Sequence, residues 1–318
     1  MPEYGYFLSC EEFQPQQLLD QARLAQRAGF ERLAISDHYH PWTDEQGSSP
    51  FVWSMIGALS QAAPLPVTTL VTCPTVRVHP AVIAQAAATS AVLTGGRFQL
   101  GVGTGEALNE HILGGRWPAF GERADMLEEA VTVLRRLFAG GVVDHDGPHY
   151  TVQNARLYTI PDEPAPILVS AFGPDAAALA GRIGDGFVTM QPDRELVERF
   201  AEAGGAGKPV VGGLKVCFDH DRERAVRTAR ELWGIESLPG ELNQILPTPR
   251  HFEQAASVVT DEMVQKGITC GDDADAVLEA VQKFIDTGFT EIHIGNIGPH
   301  SEEFFDFYRE AVAPRLPS

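Results

Sequence analysis

The chain has 318 residues, of which 44% are hydrophobic and 21% are charged. This composition is typical of a globular protein and excludes disordered, collagen-like and coiled-coil chains. Lys and Arg number 24 against 43 Asp and Glu, which gives a formal net charge of −19. So acidic a chain argues against nucleic acid as the main partner and predicts a soluble protein.

The sequence shows no sign of secretion, membrane insertion or a metal centre. Its N-terminus has no basic segment followed by an apolar one, so we expect no signal peptide. No stretch approaches the roughly 18 apolar residues of a membrane span. The four cysteines are widely spaced without a C-x-x-C pair, which favours neither a zinc site nor a disulfide framework. We therefore expect a reduced, cytoplasmic protein that binds no metal.

Short apolar segments alternate with helical patterns along the whole chain. Strands are predicted at Tyr4–Leu8, Arg32–Ser36, 66–73, Phe98–Val102, Ile167–Ser170, Gly186–Thr189, Val210–Val216 and Glu291–Ile294. Helical spacing lies between them, for example at His79–Val92, and Gly29 is predicted to end the first helix. Eight such units favour a (β/α)8 TIM barrel of the α/β class over a doubly wound sheet. A doubly wound sheet would normally carry a glycine-rich loop after its first strand, where this sequence reads SCEEF.

Two segments break the alternation. Residues 141–158 place His145-Asp146-Gly147 between two β-like stretches, which predicts an inserted hairpin. Residues 235–270 contain several prolines and are predicted to form an irregular insertion before the last helix and strand. Because no linker or change of composition separates these parts, residues 1–318 are predicted to form one domain.

The second predicted strand ends in SDHYHPW (36–42), and barrel active sites lie at the carboxyl ends of the strands. A histidine near a carboxylate can act as a general base near neutral pH, which makes His38 a candidate. Asp37 faces another way on an extended chain and could bind a cofactor. The alternative is that Asp37 caps the next segment while His38 merely packs, and the spacing favours neither.

The fourth predicted strand leads into GVGTGEALN (101–109). Alternating glycines let a ligand approach the backbone, although such loops also serve as plain turns. Glu106 is either an acid/base group or a bonded structural group, and burial would raise its pKa. Cys73, after the third strand, lacks a partner signature and is predicted to be a small buried residue rather than a nucleophile. The fifth strand is followed by AFGP (171–174), which fits an anion-binding helix start or an ordinary turn.

Taken together, these segments resemble the luciferase-like F420-dependent oxidoreductases. SDHYHPW (36–42), TCPTVRVHPAVIAQAAATSAVL (72–93) and GRFQLGVGTGEALNEHILGGRWP (96–118) carry the resemblance, which extends over nearly the whole chain. The chain is similar in particular to the clade that contains F420-dependent glucose-6-phosphate dehydrogenase. The resemblance implies a (β/α)8 barrel, usually a homodimer, that binds a small-molecule substrate and the deazaflavin coenzyme F420. It also implies hydride transfer, because a deazaflavin carries electrons in pairs.

The resemblance implies roles for individual residues. His38 would take the proton of a substrate hydroxyl, Glu106 would be the acidic partner near the deazaflavin ring, and Trp42 would orient the pair. Cofactor contacts are implied for Asp37, Leu70, Val71, Cys73, Gly103, Thr104, Gly105, Asn109, Ala171, Phe172, Gly173 and Gln191. Substrate contacts are implied for Glu11 and Lys266. A non-proline cis peptide bond is implied at Leu70–Val71.

The sequence departs from the glucose-6-phosphate enzymes where those enzymes bind phosphate. The corresponding positions are Asp193, Asn243 and Lys266, of which only the last is cationic. A phosphate dianion needs several cations or donors in a confined pocket, and Lys215 or Arg250 could compensate. A sugar phosphate, a neutral sugar, a secondary alcohol and an enone therefore all remain open as substrates.

Four functions fit the sequence. The first is an F420-dependent dehydrogenase that acts on a carbinol carbon, and the second is an F420H2-dependent ene or carbonyl reductase. The third is an FMN-dependent monooxygenase of the same superfamily. Comparing the affinities for FMN and F420 would distinguish it from the first two. The fourth is a cofactor-binding protein without turnover, against which the presence of both His38 and Glu106 argues.

Overall fold

A computed structural model describes residues 1–317, and its centre is a closed barrel of eight parallel strands. With strands numbered in chain order, the barrel consists of β1 (Glu3–Leu8), β2 (Arg32–Ile35), β3 (Val67–Thr69), β4 (Phe98–Val102), β7 (Ile167–Ser170), β8 (Gly186–Val188), β9 (Val210–Cys217) and β11 (Glu291–Asn296). Each strand pairs with the next, and the β11–β1 pairing closes the ring. The predicted (β/α)8 barrel is confirmed.

Helices pack around this barrel between the strands. They are α1 (Pro15–Ala28), α2 (Val52–Ala62), α3 (Pro80–Leu93), α4 (Ala107–Glu110), α5 (Phe120–Phe138), α6 (Pro174–Ile183), α7 (Arg194–Phe200), α8 (Arg222–Trp233), α12 (Ala274–Thr287) and α13 (Ser301–Phe307). Helix α1 shows how the sequence sets their limits. It begins with a proline whose fixed φ suits the first turn, and it ends at Gly29, where φ is 94°. None of the helices in the described residues is both long and apolar enough to cross a bilayer.

The inserted hairpin predicted near 141–158 is present as the antiparallel strands β5 (Val143–Asp146) and β6 (Thr151–Ala155). It is tied to the barrel at two points. The Glu129 carboxylate on α5 accepts a hydrogen bond from the Tyr150 backbone N–H at 2.9 Å, and the Tyr150 hydroxyl donates to the Thr75 carbonyl at 2.9 Å. The hairpin therefore supports the loop that follows β3.

The segment 235–270 is more regular than predicted. It contains the helices α9 (Leu242–Ile245), α10 (Pro249–Ala256) and α11 (Asp261–Gly267), followed by strand β10 (Ile268–Cys270). Thr248 and Thr260 cap α10 and α11 by accepting backbone N–H bonds. The prediction of an irregular segment was wrong because one- and two-turn helices are too short to show a hydrophobic period. Strand β10 adds to β9 in parallel.

The third barrel strand is shorter than the predicted strand 66–73 and ends at Thr69. The Leu70 N–H still donates to a carbonyl of β2, whereas the Thr72 N–H donates to a carbonyl of β4. The chain therefore leaves the regular ladder between these residues. The peptide bond Leu70–Val71 is cis, as the resemblance implies.

The amino-terminal end of the barrel is filled by His293. This side chain is 0% exposed, and its Nε2 lies 2.8 Å from Oε1 of Glu291, which also pairs with Arg32. Glycines on the two flanking strands make room for it. A Cβ on Gly5 would lie 2.2 Å from the His293 Nδ1, and one on Gly213 would lie 2.3 Å from the His293 carbonyl oxygen. The interior is therefore packed at this end of the barrel.

Candidate active site

A cavity of about 1070 Å³ lies where the barrel strands end. Part of its lining is apolar and belongs to a buried cluster that includes Phe7, Leu70, Val71 and Val188. Another part consists of titratable and amide side chains from the loops after β1, β2 and β4. The cavity thus combines an apolar surface with a group of acid/base side chains.

His38 connects the polar side chains of this cavity. Its Nε2 lies 3.3 Å from Oε1 of Glu11 and 3.7 Å from Oε2 of Glu106. Its Nδ1 lies 3.0 Å from Nδ2 of Asn109. The predicted His38–Glu106 pair is therefore brought together, and Glu11 completes it from the end of β1.

Asn109 has only one orientation that satisfies its neighbours. Its Oδ1 accepts the backbone N–H groups of Tyr39 and His40 at 2.8 and 3.1 Å. Its NH2 group is then left to donate to Nδ1 of His38 and, at 3.2 Å, to Oε2 of Glu106. Nδ1 of His38 also lies 3.3 Å from the His40 carbonyl oxygen, but the Asn109 donor is closer, so we expect Nδ1 to accept and a neutral His38 to carry its hydrogen on Nε2.

The two carboxylates near Nε2 differ in environment. Glu11 is buried and accepts the Ser36 hydroxyl at 2.6 Å. The Glu106 side chain is 32% exposed and faces the cavity. Burial raises the pKa of Glu106 and the charge of Glu11 raises it further, while His38 opposes the shift. Glu106 is therefore the carboxyl group that holds a proton more readily than usual and can be reached from the cavity.

Trp42 packs against the imidazole, with ring centroids 4.9 Å apart. It has two further contacts, one from α10 and one within its own loop. Phe252 on α10 meets it edge-on at 5.1 Å, and the Gln46 side chain accepts its backbone N–H at 2.8 Å. The insertion therefore helps to fix the aromatic ring beside His38.

Asp37 belongs to a separate buried network. Its Oδ1 accepts from Arg77 at 2.9 Å, and its Oδ2 accepts from the Thr72 hydroxyl. Arg77 also donates its backbone N–H to Glu110 at 2.6 Å. Burial raises the pKa of Glu110 to about 7, and Asp37 raises it while Arg77 lowers it. Arg77 therefore serves two buried carboxyl groups, Asp37 through its guanidinium and Glu110 through its backbone N–H, a pairing that sequence reasoning missed because Arg77 follows an irregular loop.

Cys73 lines the cavity beside this network. Burial raises the pKa of its thiol well above the usual range, and the charges of Glu110 and Glu106 add to the effect. The group therefore stays a thiol near neutral pH, whereas nucleophilic attack requires the thiolate. Cys73 is half-buried rather than fully buried, and its lack of a nucleophilic role stays a prediction.

Most of the predicted site residues line this cavity. They are Glu11, Asp37, His38, Trp42, Leu70, Val71, Cys73, Glu106, Asn109, Phe172, Gln191 and Lys266. Five others lie close by in the chain but outside the lining, namely Gly103, Thr104, Gly105, Ala171 and Gly173. Gly103 has a packing reason to be glycine, since a Cβ there would lie 2.8 Å from Cγ2 of Val71.

The positions considered for phosphate binding are scattered. Asn243 on α9 and Lys266 on α11 line the cavity, as does Lys215 on β9. Asp193 lies outside the lining and uses its carboxylate to cap α7. Arg250 is exposed on α10 and also lies outside the lining. The structure therefore brings three of the five positions, two of them lysines, to the cavity and leaves Asp193 and Arg250 outside it.

The carboxyl group of the half-buried Glu12 also escaped the sequence analysis. Glu12 accepts the Trp233 indole N–H at 2.7 Å and the Gly298 backbone N–H at 2.5 Å. Burial raises its pKa to about 7, against the lowering effect of these hydrogen bonds and of Lys215. Trp233 lines the cavity, so Glu12 fixes a wall residue without facing the cavity itself.

Comparisons with known proteins agree on one superfamily. An F420-dependent glucose-6-phosphate dehydrogenase from Mycolicibacterium fortuitum is 37% identical to this chain, and the match covers 98% of this chain and 97% of the relative. An F420-dependent glucose-6-phosphate dehydrogenase from Nocardia farcinica is 36% identical, and that match covers 99% of this chain and 98% of the relative. The structure of an F420-dependent secondary alcohol dehydrogenase in complex with an F420-acetone adduct matches with a TM-score of 0.91 at 31% identity, covering 98% of both chains. A coenzyme F420 dependent tetrahydromethanopterin reductase from Methanopyrus kandleri shares the fold, with a TM-score of 0.80 at 20% identity and 99% of both chains covered. The family model described as luciferase-like monooxygenase matches residues 3–291, and the chain therefore belongs to that family.

Proposed function

We propose that the protein is an F420-dependent oxidoreductase that transfers hydride between the carbinol carbon of a small alcohol or sugar and coenzyme F420. The observation that carries this proposal is the placement of His38 Nε2 within 3.3 Å of Glu11 and 3.7 Å of Glu106 in a cavity with an apolar side. Relatives named for F420-dependent oxidation of alcohols or sugar phosphates support the choice of cofactor.

The residues of the cavity fit a deazaflavin. Its volume of about 1070 Å³ slightly exceeds the roughly 300–1,000 Å³ of ordinary ligand pockets, which leaves space for a cofactor and a small substrate together. Leu70, Val71 and Val188 provide an apolar surface for a flat ring system. The residues that would hold the cofactor are Asp37, Leu70, Val71, Cys73, Asn109, Phe172 and Gln191. When bound, F420 supplies a partner that takes up or releases a hydride.

The hydrogen-bond pattern around His38 divides the proton chemistry between two side chains. Because Asn109 donates to Nδ1, the Nε2–H of the neutral imidazole can donate to the substrate oxygen and orient it. The hydroxyl proton then goes to a carboxylate, and Glu106 is the one open to the cavity. This assigns the base role to Glu106, whereas the resemblance implies that role for His38. Its raised pKa favours both uptake and return of the proton.

Trp42 limits the freedom of the imidazole and covers it with apolar surface. The indole ring is 8% exposed and packs between His38 and Phe252. Fewer water molecules can then compete for Nε2, and the electrostatic interactions of the site are strengthened. We therefore expect Trp42 to act as a positioning residue.

The test is reduction of F420 by a panel of alcohols and sugars, measured as loss of the deazaflavin absorbance. Glu106→Gln should lower kcat by about 100-fold to 10,000-fold, the usual contribution of general acid–base catalysis. Glu45→Gln, an exposed carboxylate in the loop after β2, is the matched control and should keep the rate of the unmodified protein.

Absence of hydride exchange with every alcohol, ketone and enone would contradict the proposal. Tighter binding of FMN than of F420 would favour an FMN-dependent monooxygenase instead. Reaction of reduced F420 with enones alone would identify an ene reductase, in which hydride passes from the reduced cofactor to the substrate.

A further inference from the structure

We propose that Glu12 is a positioning residue, which in its ionised form holds the cavity wall made by Trp233 and Lys215 in the arrangement that binds substrate. Substrate should then bind more tightly above neutral pH than below it. This inference rests on the proposed function and adds a dependence on pH to the same site.

The turn that follows β1 directs two consecutive carboxyl groups to different parts of the site. Glu11 reaches His38, whose Nε2 lies 3.3 Å from its Oε1. Glu12 instead accepts the Trp233 indole N–H at 2.7 Å with one oxygen and the Gly298 backbone N–H at 2.5 Å with the other. The first carboxylate therefore serves the reaction, and the second serves the wall.

Trp233 and Lys215 form a connected part of the cavity wall. The Trp233 side chain is 2% exposed at the end of α8, and the Lys215 ammonium lies 4.2 Å from the centroid of its ring. The same ammonium lies 5.7 Å from the ring centroid of Phe7. All three residues line the cavity, and the Lys215 side chain is 11% exposed. The position of the ammonium therefore depends on the orientation of the indole.

The ion pair between Lys215 and Glu236 does not replace this support. The Glu236 side chain is 35% exposed, so solvent weakens its attraction for the ammonium. The chain after Glu236 is anchored separately, because Gln244 of α9 accepts from the Arg123 guanidinium at 2.8 Å. Lys215 is therefore the member of the pair that has to adjust when the indole moves.

Only the ionised form of Glu12 can satisfy both of its donors. A carboxylate accepts through each oxygen, whereas a protonated carboxyl group presents an O–H on one of them. That hydrogen would face either the Trp233 indole N–H or the Gly298 N–H, and one of the two bonds would be lost. The negative charge also attracts Lys215, both directly and through the ring, because an indole that donates to a charged acceptor has a more negative face.

The change of ionisation falls near neutral pH. Burial raises the pKa of Glu12 to about 7 against its two hydrogen bonds, and the charge of Glu11 adds to the rise while Lys215 opposes it. Two further titratable groups interact with Glu12, namely the Tyr6 hydroxyl on β1 and the Cys217 thiol on β9. Burial raises the pKa of both groups far above this range, so they stay neutral while Glu12 ionises. The elements that supply its hydrogen bonds, α8 and the loop after β11, face it with uncharged groups.

The first test follows the Trp233 indole by NMR and needs neither cofactor nor substrate. The chain has 4 tryptophans, and the Trp233 signal is assigned by its loss in Trp233→Phe. Its indole N–H shift should change in one step with a midpoint of about 7. Glu12→Gln, which matches the protonated group in size and charge, should abolish the step. Glu231→Gln, an exposed carboxylate on the same helix, is the control and should keep it.

Two results of this test would overturn the inference. One is a Trp233 signal that does not change over about two pH units on each side of the midpoint, a range in which a single carboxyl group titrates completely. The other is a step that persists unchanged in Glu12→Gln.

The second test compares KM for the substrate at saturating F420 in the unmodified protein and in Glu12→Gln. The ratio of the two KM values should be close to unity well below neutral pH and should rise to about fivefold well above it, the loss expected of one hydrogen bond. The kcat ratio should stay within twofold throughout. Titration of His38 and Glu106 is common to both proteins and cancels in these ratios. A KM ratio independent of pH would contradict the positioning role.

The two levels of proposal fail differently. If the Trp233 step is present and is lost in Glu12→Gln, but no substrate reduces F420, the coupling of Glu12 to the wall is right and the proposed reaction is wrong. If F420 is reduced but the KM ratio does not vary with pH, the reaction is right and the positioning role of Glu12 is wrong.

Discussion

We expect the amide of Asn109 to determine which nitrogen of His38 carries the hydrogen, and Asn109→Asp to reverse that choice. The new side chain can still accept the backbone N–H groups of Tyr39 and His40 through one oxygen. Its other oxygen replaces a donor 3.0 Å from Nδ1 of His38 by an acceptor. The imidazole should then carry its hydrogen on Nδ1.

The same change introduces a repulsion that can be estimated. The replaced nitrogen lies 3.2 Å from Oε2 of Glu106. Two unit charges at that distance repel by about 5 kcal/mol at an effective dielectric constant of about 20. This corresponds to almost 4 pKa units at about 1.36 kcal/mol each, so the carboxyl pair should keep one proton near neutral pH. With its main proton acceptor already protonated, the variant should lose at least tenfold in kcat at pH 7.

Nitrogen-15 NMR of histidine-labelled protein measures the tautomer directly. The chain has 10 histidines, and the His38 signals can be assigned by their loss in His38→Asn. We expect hydrogen on Nε2 in the unmodified protein and on Nδ1 in Asn109→Asp, whereas Asn154→Asp in the hairpin should leave the His38 signals unchanged. Hydrogen on Nδ1 in the unmodified protein would refute the reasoning.

Three further predictions concern stability and assembly. The folded-state pKa of Glu12 is raised to about 7 from an ordinary 4.5, so its contribution to the free energy of unfolding is full below about pH 4.5 and is lost as the pH rises towards 7. The unmodified protein should therefore lose about 3 kcal/mol of unfolding free energy over that range because of Glu12, and Glu12→Gln should not show this loss. An unchanged pH dependence of the variant in urea titrations would contradict this. Gly5→Ala should destabilise the barrel by about 1–3 kcal/mol because its Cβ meets His293, and an equal loss in a His293→Ala background would count against that cause. The homodimer implied by the resemblance remains a proposal: light scattering should give twice the 34.5 kDa chain mass, and a monomeric mass for the unmodified protein would exclude it.

Much of the fold could be predicted from local patterns. The strands Phe98–Val102 and Ile167–Ser170 match the structure to the residue because each is a short apolar segment bounded by glycine, proline or a helix start. The end of β3 could not be predicted in this way, since Leu70 and Thr72 bond to different neighbouring strands. Such a departure from the ladder depends on tertiary pairing, which leaves no local period.

The candidate site, like the fold, could be predicted from the sequence only in part. His38 and Glu106 could be found because they directly follow strands, which is where a barrel places its chemistry. The Arg123–Gln244 and Lys215–Glu236 contacts could not, because each joins two different elements and neither pair belongs to a recognisable motif. Reasoning from the residues therefore locates the groups at the strand ends, whereas Asn243 and Lys266 of the segment 235–270 are indicated only by the resemblance.

The pairing of β10 with β9 has a consequence for how such enzymes can diversify. Cys217 and Cys270 are direct partners in that pairing, so the chain leaves the barrel and returns to it at adjacent points. Everything between them, including α9 and Asn243, can be exchanged as a cassette without moving the ends that the barrel must join. A change of substrate preference can then arise by exchange of this segment, provided that an apolar partner of Trp42 is kept in place of Phe252, while His38, Glu11 and Glu106 lie outside the segment.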